Sequence, residues 1–131
     1  MKYMIDTNIC IYLMKHVPEV LSAFAMKKNE GVVISAVTLA ELEYGVWNSG
    51  FYEKNRNKLI SFLTLVEVLP FDGAAAMIYG ELRTSLRRKE TLISLMDMMI
   101  AAHAKSKGLI VVTNNIREFE RVEGLETENW L

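Results

Sequence analysis

Hydrophobic positions along this chain group into short β-prone runs and longer helical stretches, and the changes fall at polar punctuation. Residues 2–5 form a β-prone run that closes on Asp6-Thr7-Asn8, and an apolar helical stretch over 9–14 follows at once, so a strand feeds a helix. Pro18 suits the first turn of a second helix running to about residue 28, and Asn29-Glu30-Gly31 turns the chain into Val32-Val33-Ile34-Ser35, a strand buried on both faces. Thr38 is expected to begin the next helix, with Leu39, Leu42 and Val46 on one face and Asn48-Ser49-Gly50 ending it. An amphipathic helix over 52–65, a β-prone segment over 66–71 and a long helix capped by Asp72 follow. A mostly apolar helix over 93–107 stops at Gly108, and Leu109-Ile110-Val111-Val112-Thr113 is the clearest buried strand. A helical turn over 117–121 and a segment over 126–130 complete the chain. Strands alternating with helices predict an α/β fold, a mainly parallel central sheet flanked by helices in an α/β/α sandwich.

Composition narrows the class. The 131 residues suit one domain spanning 1–131, and 51% hydrophobic with 24% charged residues describes a chain that buries a core. No uninterrupted apolar stretch approaches the roughly 20 residues of a bilayer span, and Asp6 interrupts the start where a signal peptide needs apolar residues. The expected setting is cytoplasmic, without a membrane. Cys10, the one cysteine, reads as a small buried apolar residue. A net charge of −1 argues against coating nucleic acid by bulk electrostatics. Local basic patches remain at Lys54, Arg56 and Lys58, at Arg83, Arg87, Arg88 and Lys89, and at Arg117 and Arg121, where ordinary solvated helix faces explain them as readily.

In such sheets ligands bind beyond the carboxyl ends of the strands. Asp6 closes the first strand, Glu41 lies early in the helix after the second, Asp97 opens the helix before the fourth, and Glu118 follows the fourth. Clustered carboxylates raise one another's pKa, and hard divalent ions such as Mg²⁺ or Mn²⁺ relieve them. Ions so placed favour phosphodiester hydrolysis. Each acid also has a structural explanation. Asp6 caps a helix, Thr38-Leu39-Ala40-Glu41 fits a capping box, Ser94-Leu95-Met96-Asp97 fits its aspartate variant, and Glu118 beside Arg117 and Arg121 fits a surface ion pair. His103, the cluster Met96, Met98 and Met99, and both Trp47 and Trp130 are expected to serve packing.

Three stretches resemble the signature segments of the VapC branch of PIN-domain ribonucleases: Met4-Ile5-Asp6-Thr7-Asn8, then Asp97-Met98-Met99-Ile100-Ala101-Ala102-His103-Ala104, and Val112-Thr113-Asn114-Asn115-Ile116-Arg117-Glu118-Phe119-Glu120-Arg121-Val122. Ser35-Ala36-Val37-Thr38-Leu39-Ala40-Glu41 is similar to the remaining one. The resemblance implies a catalytic cluster of Asp6, Glu41, Asp97 and Glu118, with Asp6 and Asp97 on the metal, Mg²⁺ or Mn²⁺. It implies supporting or substrate-binding roles for Thr7, Asn8, Thr113 and Asn115. Two departures stand out: Asn115 occupies a place where many PIN domains have an aspartate, and Ser94-Leu95-Met96 replaces a Gly-Pro turn.

The resemblance further implies an endoribonuclease that leaves a 5′-phosphate and a 3′-hydroxyl, a tRNA anticodon loop as substrate, a homodimer, and a cognate VapB-type antitoxin. The alternative is a catalytically weak PIN domain acting as an RNA- or protein-binding module. A phosphoacceptor receiver domain shares the layered fold, but it needs paired acids after the first strand and a lysine after a later one, where this chain has Thr7-Asn8 and Asn114-Asn115.

Overall fold

The computed structural model describes residues Met1 to Leu131. Five strands form its centre: β1 (Tyr3–Ile5), β2 (Val32–Ser35), β3 (Glu67–Leu69), β4 (Ile110–Val112) and β5 (Thr127–Glu128). Their order is β3-β2-β1-β4-β5 and every neighbouring pair is parallel. Parallel neighbours require crossovers, and helices supply most of them: α1 (Thr7–Met14), α2 (Pro18–Lys27), α3 (Ala36–Trp47), α4 (Tyr52–Leu63), α5 (Gly73–Arg88), α6 (Leu95–Lys107) and α7 (Ile116–Phe119). A 3₁₀ turn at Lys28–Glu30 extends α2.

The two-residue period of the strands divides the interior into layers. Tyr3, Ile5, Val32, Ile34 and Val112 pack with Ile9, Val20, Leu59 and Phe62 on one face of the sheet. Met4, Val33 and Val111 pack with Leu82, Leu86, Ile100 and Phe119 on the other. Both faces are therefore covered, which is why the strands read as unbroken apolar runs. Alanines at 101, 102 and 104, all fully buried, give α6 the low profile it needs against this second core. Gly31 enters β2 at φ +95°, where an added Cβ would stand 2.8 Å from the Met1 Cα, so glycine alone permits the approach of the amino-terminal strand.

Three boundaries differ from the pattern-based expectation. Helix α3 starts at Ala36 because the Ser35 hydroxyl accepts from the Val37 N–H at 3.1 Å and caps it; Thr38 lies inside the helix, buried, with its hydroxyl unpartnered. Strand β3 is confined to 67–69, at the edge, where only β2 pairs with it. Helix α6 begins at Leu95 because Ser94 caps it. No single helix is long and apolar enough to cross a membrane.

Candidate active site

The central strand delivers the first acid. Asp6 follows β1, is buried, and caps α1 by accepting from the Ile9 N–H at 3.0 Å, while its own N–H donates to the Val112 carbonyl at 3.0 Å. Its backbone is thus tied to β4 and its side chain to the start of α1. Burial raises its pKa; hydrogen bonds from Thr113, Ile9 and Asn8 oppose that rise, and the charge of Glu41 adds to it. The Asn8 contribution comes from the backbone N–H, and the Asn8 side chain stands exposed.

Glu41 is in the second turn of α3, which removes the capping-box explanation, since Thr38 caps nothing. Its carboxylate instead accepts from the Thr7 hydroxyl at 2.6 Å, bridging α3 to the first residue of α1.

Asp97 sits in the first turn of α6, where its N–H donates to the Ser94 hydroxyl at 3.2 Å. The Ser94 half of the capping box read from sequence is present here, and Asp6 caps α1 as expected. The Ser94 cap coexists with a strong electrostatic perturbation: burial first, then the neighbouring Glu118 carboxyl and the charge of Asp6, push the Asp97 carboxyl up to about 6 against the opposing influence of Ser94. Glu118 comes from α7 and lies near enough to Asp97 to perturb it, with no ion pair to Arg117 or Arg121. Arg121 turns away to the Leu92 carbonyl at 3.2 Å.

The remaining residues divide. Buried Thr113 accepts from the Asn115 N–H at 2.8 Å through the hydroxyl that also bonds Asp6, which ties the β4–α7 loop to the first acid. The Asn115 side chain makes no cap bond with α7. Pattern reasoning gave Asn114 no role, yet its amide donates to the Tyr12 hydroxyl of α1 at 3.2 Å, tethering the same loop from its other side. A contact spanning 102 positions leaves no local signal in sequence. His103 is buried, with Nδ1 2.7 Å from the Ser35 hydroxyl and its ring edge on Phe71, so it serves packing between α6 and β2. Trp130 is buried too, but Trp47 is 70% exposed and leans on Tyr52, contrary to the expected packing role.

The donors suit a hard divalent cation by type: carboxylate oxygens whose mutual repulsion a cation would relieve. No three of them converge at ion-ligating distance in the present rotamers.

Comparison with known proteins agrees with this architecture. The PIN domain family model matches residues 3–125. The chain is 46% identical to the tRNA(fMet)-specific endonuclease VapC of Shigella flexneri, covering 99% of this chain and 98% of that protein. It is 42% identical to ribonuclease VapC2 of Rickettsia felis over 99% and 98% of the two chains. Among solved structures, VapBC2 of Rickettsia felis bound to a DNA fragment from its promoter superposes with a TM-score of 0.96 at 41% identity, covering both chains in full. DNA-bound VapBC from Salmonella typhimurium gives 0.95 at 42% identity over 100% and 99%. With strand-end acids, wholly parallel sheet and full-length likeness in agreement, the chain belongs to the PIN-domain family, in its VapC branch.

Proposed function

We propose that this chain is the toxin of a VapBC-type toxin–antitoxin pair, a Mg²⁺- or Mn²⁺-dependent endoribonuclease acting as a homodimer in the cytoplasm on a tRNA anticodon loop. The observation that carries the reading is pairwise: beyond the carboxyl ends of β1 and β4, Asp6 feels the charge of Glu41, and Asp97 feels those of Asp6 and Glu118, with burial and these neighbours pushing Asp97 up to about 6. Structural ion pairs do the reverse to a carboxylate, and a perturbed acid in a like-charged group is a mark of function.

Asp6 and Asp97 would hold the cation, with Glu41 and Glu118 beside them. When bound, the ion would polarise the phosphodiester and lower the pKa of water. The protein's own work is orientation. Thr7 holds the Glu41 carboxylate by its hydroxyl, Thr113 and the α1 N–H groups hold Asp6, and Ser94 holds Asp97. Fixed carboxylates leave little to reorganise when a phosphodiester is attacked in line.

The antitoxin proposal is supported by the VapBC complexes among the similar structures and by an apolar groove of about 290 Å³ between α1, α3 and α4. Ile11, Met14, Leu42, Val46 and Leu59 line it, and Thr7 and Glu41 close one end. An amphipathic antitoxin segment would seat its apolar face there and extend a basic side chain towards the acids.

The catalytically weak alternative draws on one observation, the absence of three acids converging at ligating distance. One experiment separates the two. Wild-type protein and Asp97→Asn are incubated with total bacterial RNA and Mg²⁺ or Mn²⁺, with and without EDTA, and new 5′ ends are mapped. A discrete, chelator-sensitive cut made only by the wild type supports the nuclease. RNA binding without cleavage supports the weak-domain reading. The partner is tested by pull-down with the product of the adjacent gene; a product that neither binds nor suppresses cleavage removes the toxin–antitoxin assignment and leaves the nuclease.

A further inference from the structure

Beside the acids lies a second recess of about 300 Å³, lined by Thr7, Ala40, Glu41, Tyr44 and Met96. It shares Thr7 and Glu41 with the candidate active site, so whatever occupies it lies next to the reacting phosphodiester. Tyr44 is on α3 one helical turn beyond Glu41, and its ring is 69% exposed. Trp47, a further turn along, leans on Tyr52 with ring centroids 4.9 Å apart, whereas Tyr44 has no aromatic partner. Met96, 39% exposed at the start of α6, supplies a polarisable thioether to the same recess.

The lining selects the occupant. It holds one carboxylate and no cation, and the Thr7 hydroxyl already donates to Glu41, so it does not suit a phosphate. A largely exposed aromatic side chain and a thioether lining one recess suit a flat, uncharged ring, and a nucleobase is that ring on an RNA substrate. Resting on the ribonuclease reading above, we propose that Tyr44 and Met96 form a base-stacking subsite that holds an unpaired nucleotide adjacent to the scissile phosphate. Exposed aromatic rings stack any base, so the subsite demands an unstacked nucleotide more than a given sequence. It therefore favours loops over duplex.

The test has two arms. In the first, Tyr44→Ala, Tyr44→Phe and Met96→Ala are compared with the wild type for cleavage of an RNA hairpin containing the mapped cut. Stacking typically contributes about five- to a hundredfold in affinity per base. Tyr44→Ala is expected to raise KM about tenfold or more with a smaller change in kcat, Tyr44→Phe to stay within about twofold of the wild type, and Met96→Ala to fall between them. In the second arm the Asp97→Asn protein, which leaves RNA uncut, is titrated into hairpins carrying 2-aminopurine at single positions around the cut. Fluorescence quenching at one flanking position, lost when Tyr44→Ala is added, is the signature of stacking. Equal KM for Tyr44→Ala and wild type, or quenching indifferent to Tyr44, overturns the subsite. So does a loss of cleavage that tracks dissociation of a dimer in sedimentation, since Tyr44 would then belong to an interface between two copies. A wild-type protein that neither cuts nor binds RNA defeats the ribonuclease reading itself, whereas intact cleavage with an indifferent Tyr44 defeats only the subsite.

Discussion

Two groups of carboxylates in this molecule behave oppositely. Around Tyr3, Glu30 accepts from Lys2 at 2.9 Å and Glu128 accepts from Lys27, with both ammonium groups also near the Tyr3 ring. The Lys2 hydrogen bond holds Glu30 below the usual carboxylate range; burial would raise Glu128, but Lys27 and the Trp130 N–H hold it down. At the strand ends, Asp6 and Asp97 are raised by burial and by acidic neighbours, with no ion pair to lysine or arginine. The first group settles its charge within the fold. The second leaves repulsion for something outside the chain to relieve, the electrostatic cost a binding site carries and a structural cluster avoids.

The sharpest way to break this comparison is Asp97→Asn. Cleavage is expected to fall more than about a hundredfold, beyond what loss of a supporting contact to a metal ligand typically causes. Stability should move the other way. Because the folded pKa of Asp97 is raised to about 6, the folded state binds more protons than the unfolded state between about pH 4 and 6, and stability is lost as pH rises through that window. Removing the charge should recover about 1 kcal/mol at pH 7 without divalent ions, allowing for solvent screening of a partly exposed carboxylate. Thermal melts in EDTA read this directly, and a lower Tm for the variant would show that the acids are not in conflict.

Protons and cations should then compete at the cluster. With Asp97 near 6, Mn²⁺ affinity measured by titration calorimetry is expected to be about tenfold weaker at pH 5 than at pH 7, with proton release visible as a dependence on buffer ionisation enthalpy. An affinity flat across that range would detach the ion from this carboxyl. Smaller effects are expected at the cluster's edge. Asn115→Asp adds a charge at similar volume and should tighten Mn²⁺ severalfold, while Glu118→Gln should loosen it by a similar factor. Equal affinities for these variants and the wild type would place both residues outside the metal shell.

How much of this was legible in sequence depended on the range of the interaction. The β4 run could be read as a buried parallel strand because both faces demand apolar residues, and Asp6 because a carboxylate closes an apolar run. Sequence pattern placed the start of α3 at Thr38, since serine and threonine both cap helices; Ser35 won because its hydroxyl reaches Val37. The same displacement freed Glu41 from a capping role and left its carboxylate to Thr7. Neither the Asp97–Glu118 proximity nor the Asn114–Tyr12 bond has a local signature, because each joins side chains that the fold alone brings together. Trp47 was misread for the opposite reason: its size suggested burial, but it lies on the outward side of α3.

The smallest effect is expected from the paired group, and it serves as the control. Lys27→Met keeps the aliphatic stem over Tyr3 and removes the ammonium that Glu128 accepts from. Glu128 then retains only the Trp130 N–H at 2.9 Å, so its pKa should move back up towards the ordinary value. A depressed carboxylate contributes stability above its unfolded pKa of 4.5 and loses it as pH falls through the folded value, so the variant should lose its deficit relative to wild type in acid. At pH 7 the cost is expected to be small, since the pair is partly open to solvent. Cleavage and Mn²⁺ affinity should not change. A variant that melts like the wild type at pH 7 would make the pair energetically neutral, whereas one that loses cleavage while remaining folded would mean that the two groups of acids are coupled through β1 and β4, and that their opposite electrostatics are not independent.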